Sequence, residues 1–211
     1  MSTLVLGANG MLGHKMFQRL LLQFPDTWCT VRGSAEEAAA LAPGLLDRNV
    51  IAQVDAMDWP ALAFLLGNRR PQFIVNCVGV IKQRAEAREA IPSITINSLL
   101  PHRLASWCER WNACLIHFST DCVFSGERGN YSEQDPSDAQ DLYGKTKFLG
   151  ESEPRKRVDP PYVDYRPRTG AVRVAAGVVP QSRSRAGAGL HPRLVLGSHH
   201  ELSGGFGGQD Y

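Results

Sequence analysis

Thr3-Leu4-Val5-Leu6-Gly7-Ala8-Asn9-Gly10-Met11-Leu12-Gly13 opens the chain, and its reading decides the rest. A short apolar run meets glycines at positions 7, 10 and 13, and a helix-period pattern follows in Met11, Leu12, Met16, Phe17, Leu20 and Leu21. This predicts a strand, a tight glycine turn and a helix in immediate succession. The spacing differs from the commoner G-x-G-x-x-G, but the physical consequence is the same. Glycine permits the turn and a close approach of backbone, so the bare N–H groups of a helix N-terminus can meet phosphate oxygens. Gly7, Asn9, Gly10, Met11, Leu12 and Gly13 are therefore the candidate contacts for a bound dinucleotide.

Outward from this unit, the chain alternates strand and helix patterns. Trp28–Val31 reads as the second strand. Its end, Thr30-Val31-Arg32-Gly33, lacks the acid that commonly binds ribose hydroxyls, and Arg32 suits a 2′-phosphate unless it is a plain surface arginine. A helix over Ala35–Leu46, interrupted at Pro43-Gly44, precedes a third strand at Val50–Val54, and Asp55 at its end can meet the adenine side of a cofactor. Trp59–Leu66 is helical. Gln72–Val78 is nearly all apolar, as expected of a parallel strand covered on both faces, and Cys77, Val78 and Gly79 form a small-residue turn beneath a cofactor. Lys82-Gln83 and the charges from Arg84 to Arg88 read as a solvated connection. Ile94–Trp107 is a long helix carrying Asn97, either a buried support or an ordinary helical residue, and His102, read as structural. Ala113–Phe118 is the next strand, and a polar loop over Gly126–Asp141 leads to a last helix. Together these predict an α/β fold: a doubly wound parallel sheet of the NAD(P)-binding Rossmann type.

Ser119-Thr120-Asp121 fall at a strand's carboxyl end, where open α/β sheets bind ligands. Just beyond stands Tyr143-Gly144-Lys145-Thr146-Lys147. Residues four apart on a helix lie on one face, so the Lys147 ammonium can sit near the Tyr143 phenol. A phenol titrates near pH 10, and a nearby cation favours phenolate and lowers that value. Tyr143 tuned in this way can pass a proton at a carbonyl or alcohol centre, with Thr120 or Ser119 holding the same oxygen.

At 211 residues the chain holds one good-sized domain, or one and part of another. A hydrophobic content of 43% and a net charge of +2 are ordinary for a globular protein and select no polyanion, so no nucleic acid is expected. Five cysteines without a C-x-x-C pair read as buried reduced thiols rather than disulfides or a metal site, which points to the cytoplasm. Leu4-Val5-Leu6 is far too short for a signal or membrane segment.

L-V-L-G-A-N-G-M-L-G, I-V-N-C-V-G, S-I-T-I-N-S-L-L-P, F-S-T-D-C-V-F-S-G and Y-G-K-T-K-F-L-G-E jointly resemble the extended short-chain dehydrogenase/reductases. Within that superfamily they are most similar to the dTDP-4-dehydrorhamnose reductase family. The resemblance covers residues 1 to about 152. It implies NADPH (NADH in second place), a nucleotide-sugar substrate and reduction of a 4-keto group. Tyr143 then protonates the developing alkoxide, Lys147 tunes it and holds the nicotinamide ribose, and Thr120 orients the keto group. Related dehydratases carry an acid pair after the Thr; here Cys122 follows Asp121. A nucleotide-sugar epimerase with tightly held NAD and a non-catalytic nucleotide-binding remnant are the alternatives, and a homodimer stays open.

The expected domains are 1–157, the dinucleotide-binding domain, and 158–211, an aberrant tail in place of a sugar-nucleotide lobe. The tail holds nine Gly, five Pro and no Lys, without strand or helix periodicity, so it is expected to be disordered or poorly packed and to leave the sheet without its next strand. A one-base shift of reading frame over Val158–Gly170, Ala171–Val179 and Gly189–Glu201 turns each into family-like sequence in one common register. The tail therefore reads as out of frame.

Overall fold

The computed structural model describes residues 1–34, 36–37, 49–81, 89–132, 134–151 and 174–177. β1 (Thr3–Leu6), buried throughout, passes through the glycine turn into α1 (Met11–Gln23). β2 (Thr27–Thr30) and β3 (Val50–Ile51) follow on one side of β1. α2 (Trp59–Arg69) then carries the chain to β4 (Phe73–Asn76) on the other side. α3 (Ala90–Ser93), a π-helical stretch (Ile94–Leu99) and α4 (Leu100–Trp111) lead to β5 (Cys114–Phe118), and α5 (Leu142–Leu149) comes last. These five strands run parallel in the order β3-β2-β1-β4-β5. The chain reverses its direction of travel between β1 and β4, which opens a crevice at their carboxyl ends.

The apolar runs of the strands are explained by burial on both faces. Leu4, Leu6, Ile74 and Leu115 pack with Leu62 and Leu66 of α2 and Leu100, Leu104 and Trp107 of α4. The alternate residues Val5, Cys29 and Val75 pack with Met16, Phe17 and Leu20 of α1. Phe17 is fully buried, so Phe17→Ala should cost about 3–5 kcal/mol, read by denaturant unfolding. On the α1 side Ile116 and Phe118 are only half-buried.

Local chemistry sets the element ends. Asp58 caps α2 by accepting from the Ala61 N–H at 3.1 Å, with Pro60 in the first turn. The third strand is shorter than its apolar run, because Gln53 takes φ +58° and gives its N–H to the Gly33 carbonyl (3.0 Å) instead of continuing the ladder. The long helix is longer than expected and contains the π stretch. Pro101 has no N–H for the carbonyl four residues back, and its ring crowds that carbonyl. The turn widens accordingly, with Leu100 N–H bonding the Thr95 carbonyl.

The described residues all fall within one compact unit. β6 (Val174–Gly177) pairs antiparallel with β5, Phe118 opposite Val174 and Leu115 opposite Gly177. The expectation that the sheet stops at β5 with an open edge is therefore corrected. An unpaired row of N–H and C=O groups templates any extended segment, and antiparallel pairing needs no crossover helix. The helix expected over Ala35–Leu46 lies outside the described residues except 36 and 37, as do the charged connection at 82–88, the 157/158 boundary and the rest of the tail.

Candidate functional site at the carboxyl edge

The glycine turn is built as an anion cradle. Gly7 sits at φ +79°, where a side chain would be strained. Ala8 N–H bonds the Thr30 carbonyl (2.9 Å), and Gly10 N–H bonds the Gly7 carbonyl (3.1 Å). Gly10 is the N-cap of α1, so no side chain caps the helix and its first turn carries no acid. Uncapped N–H groups and the positive helix end together favour a phosphate. The three glycines divide the work. A Cβ on Gly13 would overlap the Gly7 carbonyl, so Gly13 serves the close packing of α1 on β1. A Cβ on Gly10 would meet only the Gly7 carbonyl oxygen, at 3.4 Å. Gly10→Val should thus fold with a melting temperature close to the parent's yet bind no dinucleotide, while Gly13→Val should fail to fold; thermal melts beside a fluorescence titration separate the two. Asn9 and Met11 are exposed, and Leu12 packs partly against the α1 core.

The turn over Cys77, Val78 and Gly79 forms the facing wall. Cys77 N–H bonds the Leu6 carbonyl (3.0 Å), and a Cβ on Gly7 would lie 2.9 Å from the Val78 side chain. Asn97, left open by the sequence, is a buried support. Its Oδ1 accepts from Val80 N–H (2.9 Å), and its Nδ2 donates to the Val80 carbonyl (3.0 Å) and to Thr146 Oγ1 (3.3 Å). One side chain on the π stretch thereby ties the segment after β4 to α5. Ser98 adds a bond to the Thr146 carbonyl (2.8 Å), and His102, bonded to the Leu149 carbonyl (2.7 Å), fills the structural role expected of it.

α5 starts where Asp141 accepts from Gly144 N–H at 2.8 Å. Gly144 has no room for a Cβ, which would strike the Cys122 carbonyl. This contact seats the Tyr143 helix on the 3-10 turn Asp121–Val123 that Thr120 caps. Thr120 Oγ1 accepts from Cys122 N–H (3.2 Å) and donates to Asp121 (3.2 Å); swinging its hydroxyl proton to a substrate oxygen gives up only the long second bond. Ser119 donates to Glu151 instead. Tyr143 is half-buried.

Lys147 is buried and gives one Nζ proton to the Phe118 carbonyl at 2.6 Å. Burial pushes its pKa down to about 8, with Glu151 opposing. The unfolded chain holds this proton up to 10.5, so from about pH 8 upward the unfolded state holds it more firmly and the lysine's own contribution to stability rises with pH. The buried thiols of Cys29, Cys77 and Cys108, pushed from 9.0 up to about 12, and of Cys114, pushed up to about 11, act the other way and, four against one, outweigh it as the pH approaches 9.0. The thiols are common to both proteins, so the unfolding free energy of the parent should gain on that of Lys147→Met between about pH 7 and 9. All five cysteines are free.

At the outer end of the crevice Arg32 is exposed just past β2, and Asp55 is exposed with its carboxylate accepting from Met57 N–H (2.9 Å). The sequence reading missed Glu37. It bonds Ser34 N–H (2.9 Å) while Ser34 Oγ accepts from Glu37 N–H (3.1 Å), a reciprocal capping box that the S-x-x-E spacing announces. It also missed the close contact of Gly144 with Cys122 and the buried pair of Asn76 Nδ2 and His117 Nδ1, 3.1 Å apart. Among the described residues there is no cluster of metal-ligating side chains, and no helix is long and apolar enough to cross a membrane.

Comparison with known proteins agrees with this geometry. The family described as RmlD substrate binding domain matches residues 1–164. A dTDP-4-dehydrorhamnose reductase of Streptomyces griseus is 33% identical over 150 residues, covering 70% of this chain and 43% of the relative. Methionine adenosyltransferase 2 subunit beta of Mus musculus is 30% identical over 150 residues, covering 70% and 41%. The crystal structure of a hypothetical dTDP-4-dehydrorhamnose reductase from Sulfolobus tokodaii superposes with a TM-score of 0.59 at 26% identity, over 72% of this chain and 50% of that one. The chain spans less than half the length of these two curated relatives.

Proposed function

We propose that this chain, which belongs to the RmlD substrate binding domain family, carries the catalytic half of an NADPH-dependent reductase acting on a 4-keto nucleotide sugar. The observation that carries the reading is a convergence at one sheet edge. The uncapped start of α1 lies at the β1/β4 reversal, and α5, with Tyr143 and Lys147, is seated on the turn that Thr120 caps at the end of the adjacent β5. Gly7, Asn9, Gly10, Met11, Leu12 and Gly13 receive the pyrophosphate on their backbone, Cys77, Val78 and Gly79 form the wall, and Arg32 and Asp55 stand at the adenosine end. NADPH bound there supplies the hydride. Thr120 holds the keto oxygen, Tyr143 hands it a proton, and the Lys147 ammonium, with Nζ protons left beyond the one given to Phe118, contacts the nicotinamide ribose and favours the phenolate that remains.

The preference for NADPH rests on the exposed Arg32. Titration of both cofactors against intrinsic fluorescence should show NADPH tighter, and Arg32→Ala should narrow the difference; tighter NADH defeats the preference. Consumption of NADPH with a dTDP-4-keto-6-deoxy sugar tests the activity in a chain with its substrate lobe complete. A second reading is favoured by the matched methionine adenosyltransferase subunit: a nucleotide-binding subunit without turnover, which cofactor binding with no reduction in any chain length would support. A cytoplasmic homodimer completes the proposal. Ile91, Ile94, Phe148 and Leu149 stand exposed on the mutually packed α3, π and α5 elements, and sedimentation measures the state.

A further inference from the structure

We propose that His117 is a positioning residue for the cofactor site, holding Asn76 in the one orientation that anchors the Val78 turn beneath Gly7. The argument starts from a group with no choice. Val78 N–H can only donate, and it donates to Asn76 Oδ1 at 3.2 Å. The other half of that amide, Nδ2, lies 3.1 Å from His117 Nδ1. An amide nitrogen is a donor, so Nδ1 must be bare and the ring proton must sit on Nε2. Both side chains are 1% exposed, and Nε2 meets no described acceptor. The ring thus tolerates an orphaned buried donor, a state that costs stability, and in return fixes the tautomer that Asn76 requires.

Protonating the ring would place Nδ1–H against the amide donor, turn the amide over and remove the acceptor from Val78 N–H. The surroundings oppose that change. Burial, then the Lys147 and His102 charges, push the imidazole pKa down to about 3. No carboxylate is among the groups acting on the ring. The Val78 side chain is what a Cβ on Gly7 would strike, so the amide orientation sets the wall that faces the phosphate cradle.

This inference rests on the cofactor reading above, and its test has arms that do not. The 15N spectrum of the His117 ring in the parent chain should show Nε2 protonated and Nδ1 bare, unchanged between about pH 5 and 8. His117→Asn places an acceptor oxygen where Nδ1 stood; His117→Leu keeps more volume but accepts nothing. The Asn variant should bind NADPH within about threefold of the parent. The Leu variant should bind about tenfold more weakly, with Val78 amide exchange about tenfold faster, the effect of one lost buried bond. A role in packing alone gives the opposite order, since Asn leaves the larger void. An Nδ1–H tautomer, a Leu variant with parental exchange at Val78, or an Asn variant as weak as Leu overturns the proposal. Should Leu fail to fold, the ring spectrum and the Asn variant decide. A parent that binds no NADPH sinks the cofactor reading, and the ring spectrum with Val78 exchange then decides the brace by itself.

Discussion

Tyr143→Phe, in a chain with its substrate lobe complete, is expected to lower turnover by about 10²–10⁴-fold, the range typical of general acid–base groups, and to leave NADPH affinity within about threefold. The hydroxyl that donates the proton is lost. The ring still fills its half-buried place on α5, and Gly144 still seats the helix against Cys122. Lys147→Met should differ in kind. The methionine fits a buried site, but the bond to the Phe118 carbonyl and the ammonium both go, so affinity and rate should fall together. Stopped-flow rates beside equilibrium titration separate the two patterns. A Tyr143→Phe protein with near-parental turnover removes the tyrosine from the chemistry.

The sequence carried the strand–turn–helix unit almost to the residue, because short-range physics decides it: glycines that can turn, then an apolar stripe at period 3.6. That Tyr143 and Lys147 share one helix, one turn apart, was legible for the same reason. Less legible were groups whose role depends on distant partners. Asn97 reads as any helical asparagine until Val80 and Thr146, 17 and 49 positions away, are packed on it. Asn76 and His117 are 41 positions apart and meet only because β4 and β5 pair in the register Asn76 opposite His117. Gly144 looks like a weak spot in a helix; the Cys122 carbonyl above it explains the glycine. The π stretch, by contrast, had a visible cause in Pro101, four residues after Asn97.

Restoring the frame by one base between codons 155 and 160 is expected to raise turnover by more than about 10²-fold over the parent, the loss that misplacement of a substrate by about 1 Å can cause. Two independent observations meet here. The sequence from Val158 onward, with nine Gly, five Pro and no Lys, shows no strand or helix periodicity. And β6 joins β5 antiparallel, whereas a doubly wound sheet continues with a parallel strand reached by a right-handed crossover. Four residues of edge pairing offer roughly 1 kcal/mol per hydrogen bond against about 1–2 kcal/mol per residue of backbone entropy. β6 is therefore a weak closure of the β5 edge, and ending the chain at Pro154 should shift the melting temperature little. The restored chain should instead place a parallel strand on β5 and cover the half-buried Ile116 and Phe118. Sequencing the codons shows whether one base is in excess, and hydrogen exchange at Leu115–Phe118 reports the new strand. Restored protein with parental exchange and no turnover would make the present tail a genuine, divergent end of the molecule.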